Sequence, residues 1–364
     1  MWRKEASGGA SRRDQAARMM TPAVVEALSV EWGLGPWRSV SRVAKGRTNL
    51  TLAVDTDRGR FALRVSHRRK TRAGLDFEVA LLEHLRGAGY PAPRVVPTAA
   101  GDPYSDAGPE GLFCLVTGWI PGVAYDPRDP SHLAEAGLGL GRYHRAVAGF
   151  TARFASEAKA RLADAVRTGP ADMAAVVALS AGLGDRDGHY RLAAAVEAIL
   201  PSFAAVPALL PAAGLTEVAI HGSYGRSALL FDGPRLAAAL DYDRASWEWR
   251  ALDIVYALKG FASDPDLAPG SADVRISPER ARAFLSAYLG AQPLAADELS
   301  AIPAVLRAQR LIRVAGKAAG LLRRHAHTGV PERTGAVAKL AENVEADVRL
   351  MEWVADRGHD LLPV

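Results

Sequence analysis

Residues 221–233 read HGSYGRSALLFDG, and ALDYDRASWEWRALDIVYAL follows at 239–258. A histidine and a glycine, His221 and Gly222, open the first stretch, and Arg226 sits inside it. A strand–turn–strand unit then leads to two carboxylates, Asp241 and Asp243. This is the outline of a phosphoryl-transfer loop. Such chemistry needs phosphates held in place, metal ions across them, and a carboxylate that orients the attacking hydroxyl and takes its proton. Two positions depart from it. An Asp base and a metal-binding Asn stand five residues apart in such loops; here Ser223 and Ala228 occupy those places. A serine hydroxyl is too weakly acidic to act as a base near neutral pH, and alanine has no ligand atom. Asp241 remains as the metal carboxylate. Asp243, two residues on, shares its face if the strand persists, and there adds to the metal shell or fixes the loop.

The bulk of the sequence limits what can surround these residues. Its 364 residues suffice for two lobes. With 49% apolar and 23% charged residues it reads as an ordinary soluble globular chain. The net charge of +5 favours anionic ligands weakly. No Cys/His zinc spacing or basic-aromatic RNA motif supports nucleic acid as a partner. The sole cysteine, Cys114, excludes an internal disulfide and a thiolate zinc site, and fits a reducing cytoplasm. No membrane span is expected, because the most apolar stretch, 192–215, is cut by Glu197, Pro201, Pro207 and Pro211. Residues 1–20 are basic and rich in small residues but lack an apolar centre. They read as a disordered tail rather than a secretory signal.

The elements that must position the chemistry come in two styles. Thr21-Pro22 reads as an N-cap and first helical residue, with VVEALSVEWGL continuing the helix. Residues 38–66 alternate as strands, with TLAVDT and RFALRVS flanking a turn at Asp57-Arg58-Gly59. Residues 71–88 are helical, with Phe77, Leu81, Leu82 and Leu85 on one face. GYPAPRVVP is extended, and 112–120 is a buried strand stopped by Pro121-Gly122. Beyond residue 130 helices dominate: LAEAGLGLGRYHRAV, a run near 152–166, DMAAVVALSAGL and YRLAAAVEAIL. EVAIH, SALLF and RLAAALDYD form the hairpin unit, and helices return at 250–262 and from about 278. On the late helix, Arg307, Arg310, Arg313, Lys317 and Arg324 share a face opposite Leu311, Ile312, Ala315, Ala318 and Leu322. That basic face reads as solvated, with a dock for an acidic partner as the sharper idea.

Taken in order, GRTNLTLAV, FALRV, the Glu-bearing helix 71–88, LVTGWIPG, LGLGRYHRAV, HGSYGRSALLFDG, LDYD and RALDIVYAL resemble the aminoglycoside phosphotransferase and choline kinase-like family. The resemblance covers about 40–350. It implies an α+β, protein-kinase-like bilobal fold: a small β-rich N-lobe over 21–117 and a large helical C-lobe over 118–364. It further implies that Gly46, Thr48 and Asn49 cover phosphates, and that Arg64 binds phosphate where most kinases use Lys, paired with Glu78. The same resemblance implies that Thr117, Gly118 and Trp119 form a hinge whose backbone bonds an adenine, and that Asp253 braces the catalytic loop. His144 reads as a satisfied core histidine, and Trp247 and Trp249 either wall a substrate site or pack.

A positioned base contributes about 10²–10⁴-fold. Losing it together with a metal ligand lowers turnover by roughly four to six powers of ten. The expectation is therefore a pseudokinase that binds ATP or another nucleotide with weakened Mg²⁺, about one ion. It would act through a protein partner such as a lyase or modifying enzyme. The alternative is an active ATP-dependent O-phosphotransferase on a small-molecule or peptide Ser/Thr hydroxyl, with Asp243, Glu248 or the substrate standing in for the base.

Overall fold

A computed structural model describes residues 20–43, 49–152, 162–211, 215–264, 276–328 and 334–363. Of the expected disordered tail 1–20, residues 1–19 lie outside the described residues, as do the loop residues Gly46 and Thr48; Met20, counted in that tail, is instead buried in the core of the first unit. The chain divides into two compact units. The first draws its described residues from Met1–Tyr125, Gly149–Phe154 and Ser227–Asp243; the second from Asp126–Ala148, Ala155–Arg226 and Arg244–Val364. The hairpin that leads to Asp241 thus groups with the β-rich part, although the sequence reading assigned everything after residue 117 to the helical lobe.

The first unit opens with α1 (Pro22–Trp32), capped by the Thr21 hydroxyl, which accepts the Val24 N–H, and ended by Gly33 at φ 58°. A four-stranded antiparallel sheet follows in the order β1 (Trp37–Arg42), β2 (Leu50–Thr56), β3 (Gly59–Val65), β4 (Cys114–Gly118). One face of this sheet, with Leu50, Leu52, Val54, Phe61, Leu63, Val65, Cys114 and Val116, buries against Leu28 and Trp32 of α1. On the other face Leu115 packs against Leu75 and Val79 of α2 (Arg72–Gly87). Because side chains alternate along a strand, Arg64, between Leu63 and Val65, belongs to the α2 face. A second sheet joins β5 (Val123–Ala124) to the hairpin that the second unit's chain later returns to complete, β7 (Leu229–Asp232) and β8 (Arg235–Ala239).

In the second unit, α3 (Pro130–Ala146), α4 (Leu162–Ala181) and α5 (Arg186–Ile199) precede β6 (Glu217–Ile220). The two helical runs anticipated at 152–166 and 172–183 are one helix, α4, among its described residues; it runs through Pro170. Strand β9 (Ser246–Trp249), absent from the sequence reading, pairs antiparallel with β6. The long helices that follow among the described residues are α6 (Arg250–Phe261), α7 (Pro278–Ala291), α8 (Ile302–Thr328) and α9 (Thr334–Arg357), with a short turn of helix at Ala296–Ser300 between α7 and α8. Leu311, Ala315 and Ala318 of α8 enter the core as the apolar stripe predicts, with Ile312 and Leu322 partly buried beside them. No described helix is long and apolar enough to cross a membrane.

The glycines of LGLGR bring α3 and α7 together. A Cβ on Gly137 would stand 2.3 Å from the Phe284 carbonyl oxygen, and one on Gly141 would stand 2.6 Å from that of Tyr288. Backbone cannot step aside as a side chain can, so the clash outweighs the roughly 1 kcal/mol that alanine gains over glycine in a helix. Gly137→Ala is expected to destabilise the protein by about 1–3 kcal/mol in urea unfolding; an unchanged or higher midpoint would show that α7 is not held so close.

Candidate functional site

The chemistry-bearing residues form two sets, one in each unit. In the first unit the organising group is Glu78, on α2 and 1% exposed. Its carboxylate accepts from Arg64 NH1 at 2.5 Å and from Lys70 Nζ at 2.7 Å. Burial opposes its charge, but the two cations win and hold the carboxyl at about 2. Arg64 therefore meets Glu78 as the sequence reading anticipates. Lys70 was missed: it lies in the HRRKTR run between β3 and α2, which looks like solvated charge. Lys70 also donates to the Asp243 carbonyl oxygen at 3.3 Å, tying the clamp to the end of the hairpin. The Nε and NH2 nitrogens of Arg64 are buried and have no hydrogen-bond partner among the described residues.

Asp241 stands at the end of β8 in the left-handed region, φ 69°, one of two non-glycine residues so placed among those described. Backbone strain of this kind costs about 1–3 kcal/mol and clusters at functional sites. The turn overturns the expectation of a continuing strand. The two carboxylates still act on one another electrostatically, across the turn rather than along a pleat. Crowding by protein, then the like charge and hydrogen bond of Asp243, push the Asp241 carboxyl up to about 7. The residue is nonetheless solvent-exposed and open to an arriving cation. Asn49, which the resemblance assigns to phosphate, is buried. Its Nδ2 donates to Asp243 Oδ2 at 3.0 Å, and its Oδ1 accepts the His67 N–H at 3.1 Å. Ala228 lies beside this pair: its carbonyl accepts the N–H of Leu240, the residue before Asp241, at 2.7 Å.

Two carboxylates suit a hard cation. Mg²⁺ commonly takes one or two carboxylates and completes its shell with phosphate oxygens and water. Among the described residues no group of three or more His, Cys, Asp or Glu could hold a metal by itself. That composition fits an ion carried by a phosphate ligand better than a protein-only cage.

The expected hinge is an interior strand end. Thr117 pairs with Ala62 on β3 and bridges Val95 on its other side. The N–H of Gly118 donates to the Arg94 carbonyl at 2.9 Å, and that of Trp119 to the Arg60 carbonyl at 3.3 Å. The Arg60 guanidinium lies 4.3 Å from the centre of the Trp119 ring.

In the second unit the loop 221–226 is held by Asp253, on the first turn of α6 and fully buried. Its carboxylate accepts the N–H of His221 at 2.8 Å and of Gly222 at 3.0 Å. His144 Nε2 reaches the same carboxylate at 3.2 Å, while its Nδ1 meets the Tyr288 hydroxyl at 2.9 Å. An ionised carboxylate only accepts, so Nε2 carries the proton and Nδ1 accepts from Tyr288. Burial opposes the charge on Asp253, but the hydrogen bonds from His144 and His221 keep its carboxyl below the usual range. His144 is thus a bracing residue, as the sequence suggests. The Ser223 N–H donates to His221 Nδ1 at 3.2 Å, and Arg226 donates to the Ser263 carbonyl at 2.8 Å. The loop keeps a rigid frame around a serine that is only partly buried. Trp249 packs against the helical core.

A sequence model of the phosphotransferase enzyme family matches residues 39–299. The chain belongs to that family. It is 29% identical over 295 residues to a homoserine kinase of Xanthobacter autotrophicus, covering 80% of this chain and 84% of that one. A homoserine kinase of Pseudomonas aeruginosa is likewise 29% identical over 283 residues, 78% of this chain and 81% of its own. Among solved structures, an amicoumacin kinase in complex with AMP-PNP, Ca²⁺ and its ligand superposes with a TM-score of 0.64 at 15% identity, over 95% of this chain and 96% of that one. A microcompartment-associated aminopropanol kinase superposes with 0.61 at 17% identity, over 93% and 98%. At these identities the structural likeness establishes the protein-kinase-like α+β fold.

The Glu78 clamp sets an acid limit. Its folded value of about 2 lies below the ordinary 4.5, so the stability it confers is complete above about pH 4.5 and is lost as pH falls towards 2. Glu78→Gln is expected to flatten the fall in melting temperature over that window. At neutral pH it should destabilise the protein by about 3–5 kcal/mol, since two buried cations lose their partner. An unchanged acid limb in the variant would remove the clamp from the account.

Proposed function

We propose that this chain binds a magnesium–nucleotide complex through Asp241, Asp243 and Arg64, and transfers its terminal phosphoryl group to the hydroxyl of a small amino-acid-like or amino-alcohol acceptor. The observation that carries the reading is the carboxylate pair. Two like charges joined at a strained turn are unfavourable by themselves, as the displaced Asp241 carboxyl shows, and a divalent cation relieves both the repulsion and the proton uptake. The partnerless nitrogens of Arg64 supply donors of the right kind for phosphate oxygens. When bound, Mg²⁺ would neutralise charge developing on the phosphates. Ser223 would orient the acceptor hydroxyl by hydrogen bonding; the proton leaves to a transferred phosphoryl oxygen as the acceptor oxygen joins phosphorus and the nucleoside diphosphate departs. Because the transition state is loose and rests on positioning, such a step is slowed by the missing base without being forbidden. Similarity to homoserine kinases favours a small acceptor over a peptide or a protein partner.

Ser223 and Ala228 favour a second reading, a nucleotide-binding member that scarcely turns over. Melting curves with Mg²⁺ and AMP-PNP, followed by ADP release with L-homoserine and 1-amino-2-propanol, separate the two. Transfer predicts stabilisation by Mg·AMP-PNP and slow ADP release. Asp241→Asn should raise the melting temperature of the free protein, remove the stabilisation by nucleotide and end turnover. Ser223→Asp alone should speed turnover by about 10²–10⁴-fold, and adding Ala228→Asn should bring the gain to about 10⁴–10⁶-fold. Stabilisation without ADP release from any small alcohol would favour the second reading, and no response to nucleotide would sink both.

A further inference from the structure

The basic face of α8 is not the solvated stripe its spacing suggests. Arg310 is 0% exposed, and Arg313 and Lys317, three and seven residues on, are partly buried. Lys259 of α6 joins them, within electrostatic reach of all three. Four cations from two helices are thus gathered around one carboxylate, Asp347 of α9, which accepts from Arg310 at 3.3 Å and from Arg313. Neutral groups take up part of the rest. Arg313 donates to Asn343 Oδ1 at 2.7 Å, and Arg310 donates to Gln309. The nearby Lys339 has its own partner, Glu342, at 3.0 Å. Arg310 Nε is buried without a hydrogen-bond partner. Neither Lys259 nor Lys317 makes an ion pair within 4 Å among the described residues.

Gathering like charges away from water is costly unless something negative completes the set. Burial and the neighbouring cations push Lys259 down to about 7 and Lys317 down to about 8. Burial also lowers Arg310, in spite of Asp347. This is not a frame built for rigidity alone, since two apolar side chains in place of the lysines would pack there without the repulsion. The set is also connected to the loop: α6 carries Asp253, which holds His221 and Gly222, and Gly260, next to Lys259, lies against Gly225.

We propose that Lys259, Arg310, Arg313 and Lys317 form a receptor for an oxyanion, the carboxylate or phosphate group of a small ligand. Arginine supplies the fixed fork and lysine the adaptable point charges that carboxylate and phosphate recognition uses. The site stands whether or not the chain transfers phosphate. If it does, a carboxylate-bearing acceptor would be selected over its decarboxylated analogue.

Calorimetry on the full chain, without nucleotide or Mg²⁺, tests this with three probes: inorganic phosphate, L-homoserine, and 3-amino-1-propanol as the acceptor-like control without a carboxylate. At least one of the first two should bind, and the third should not. Binding of L-homoserine identifies the carboxylate source, and binding of phosphate alone the phosphate source. Lys259→Met with Lys317→Met should weaken that binding at least about tenfold, the loss expected of charged hydrogen bonds, while shifting the melting temperature of the free protein upward. A purely structural role predicts a downward shift. Should the double variant fail to fold, Lys317→Gln alone should give the same two signs with smaller size. Undiminished binding in the variants, binding of 3-amino-1-propanol as strong as that of L-homoserine, or no binding of either anion overturns the proposal, whatever ADP release shows.

Discussion

One buried carboxylate organises the charged residues of the first unit. Glu78 comes from a helix, Arg64 from the strand it covers, and Lys70 from the connection between them. The three close into a clamp only when α2 lies flat on β3 and β4. With the clamp closed, Lys70 reaches the backbone at Asp243, and Arg64 keeps two nitrogens without protein partners. Removing the carboxylate would leave two cations repelling each other in a dry place, so the clamp is a constraint on the fold as much as a feature of the site. Asp243, held by Asn49 from the other side, inherits its position from it.

The second unit solves a similar problem with hydrogen bonds in place of ion pairs. Asp253 accepts two backbone N–H groups of the loop and a histidine proton, and that histidine is in turn held by Tyr288. The chain of contacts exists because glycines in α3 let α7 come close enough for the hydroxyl to arrive. The loop 221–226 is therefore held by hydrogen bonds on either side of Ser223. A scaffold of this rigidity places Ser223 reproducibly, which matters most where catalysis rests on orientation and least where it rests on proton abstraction.

Much of this was legible along the chain. Thr21-Pro22 marks a helix start by side-chain and ring chemistry that acts over three residues. Arg64 and Glu78 were paired through the family resemblance, from a strand position and the helix that follows it. The substitutions at 223 and 228 needed nothing beyond spacing within a known loop. Lys70 was not legible, because a basic run between two elements carries no sign of which member turns inward. The Asp241–Asp243 contact was anticipated for the wrong reason, since a left-handed residue ends the strand on which the shared face was argued. The basic stripe of α8 failed in the same way: periodicity places residues on a face and is silent about what will cover it.

The sequence by itself determined the local elements, the family and which residues stand at 223 and 228, because these depend on side-chain identity and short-range geometry. Only the tertiary structure decided that Glu78 serves two cations, that a turn lies between Asp241 and Asp243, and that Arg310 of α8 is enclosed near a lysine from α6. Those facts depend on which faces of distant segments are pressed together. Burial then sets the strength of every charge involved, and no pattern along the chain encodes it.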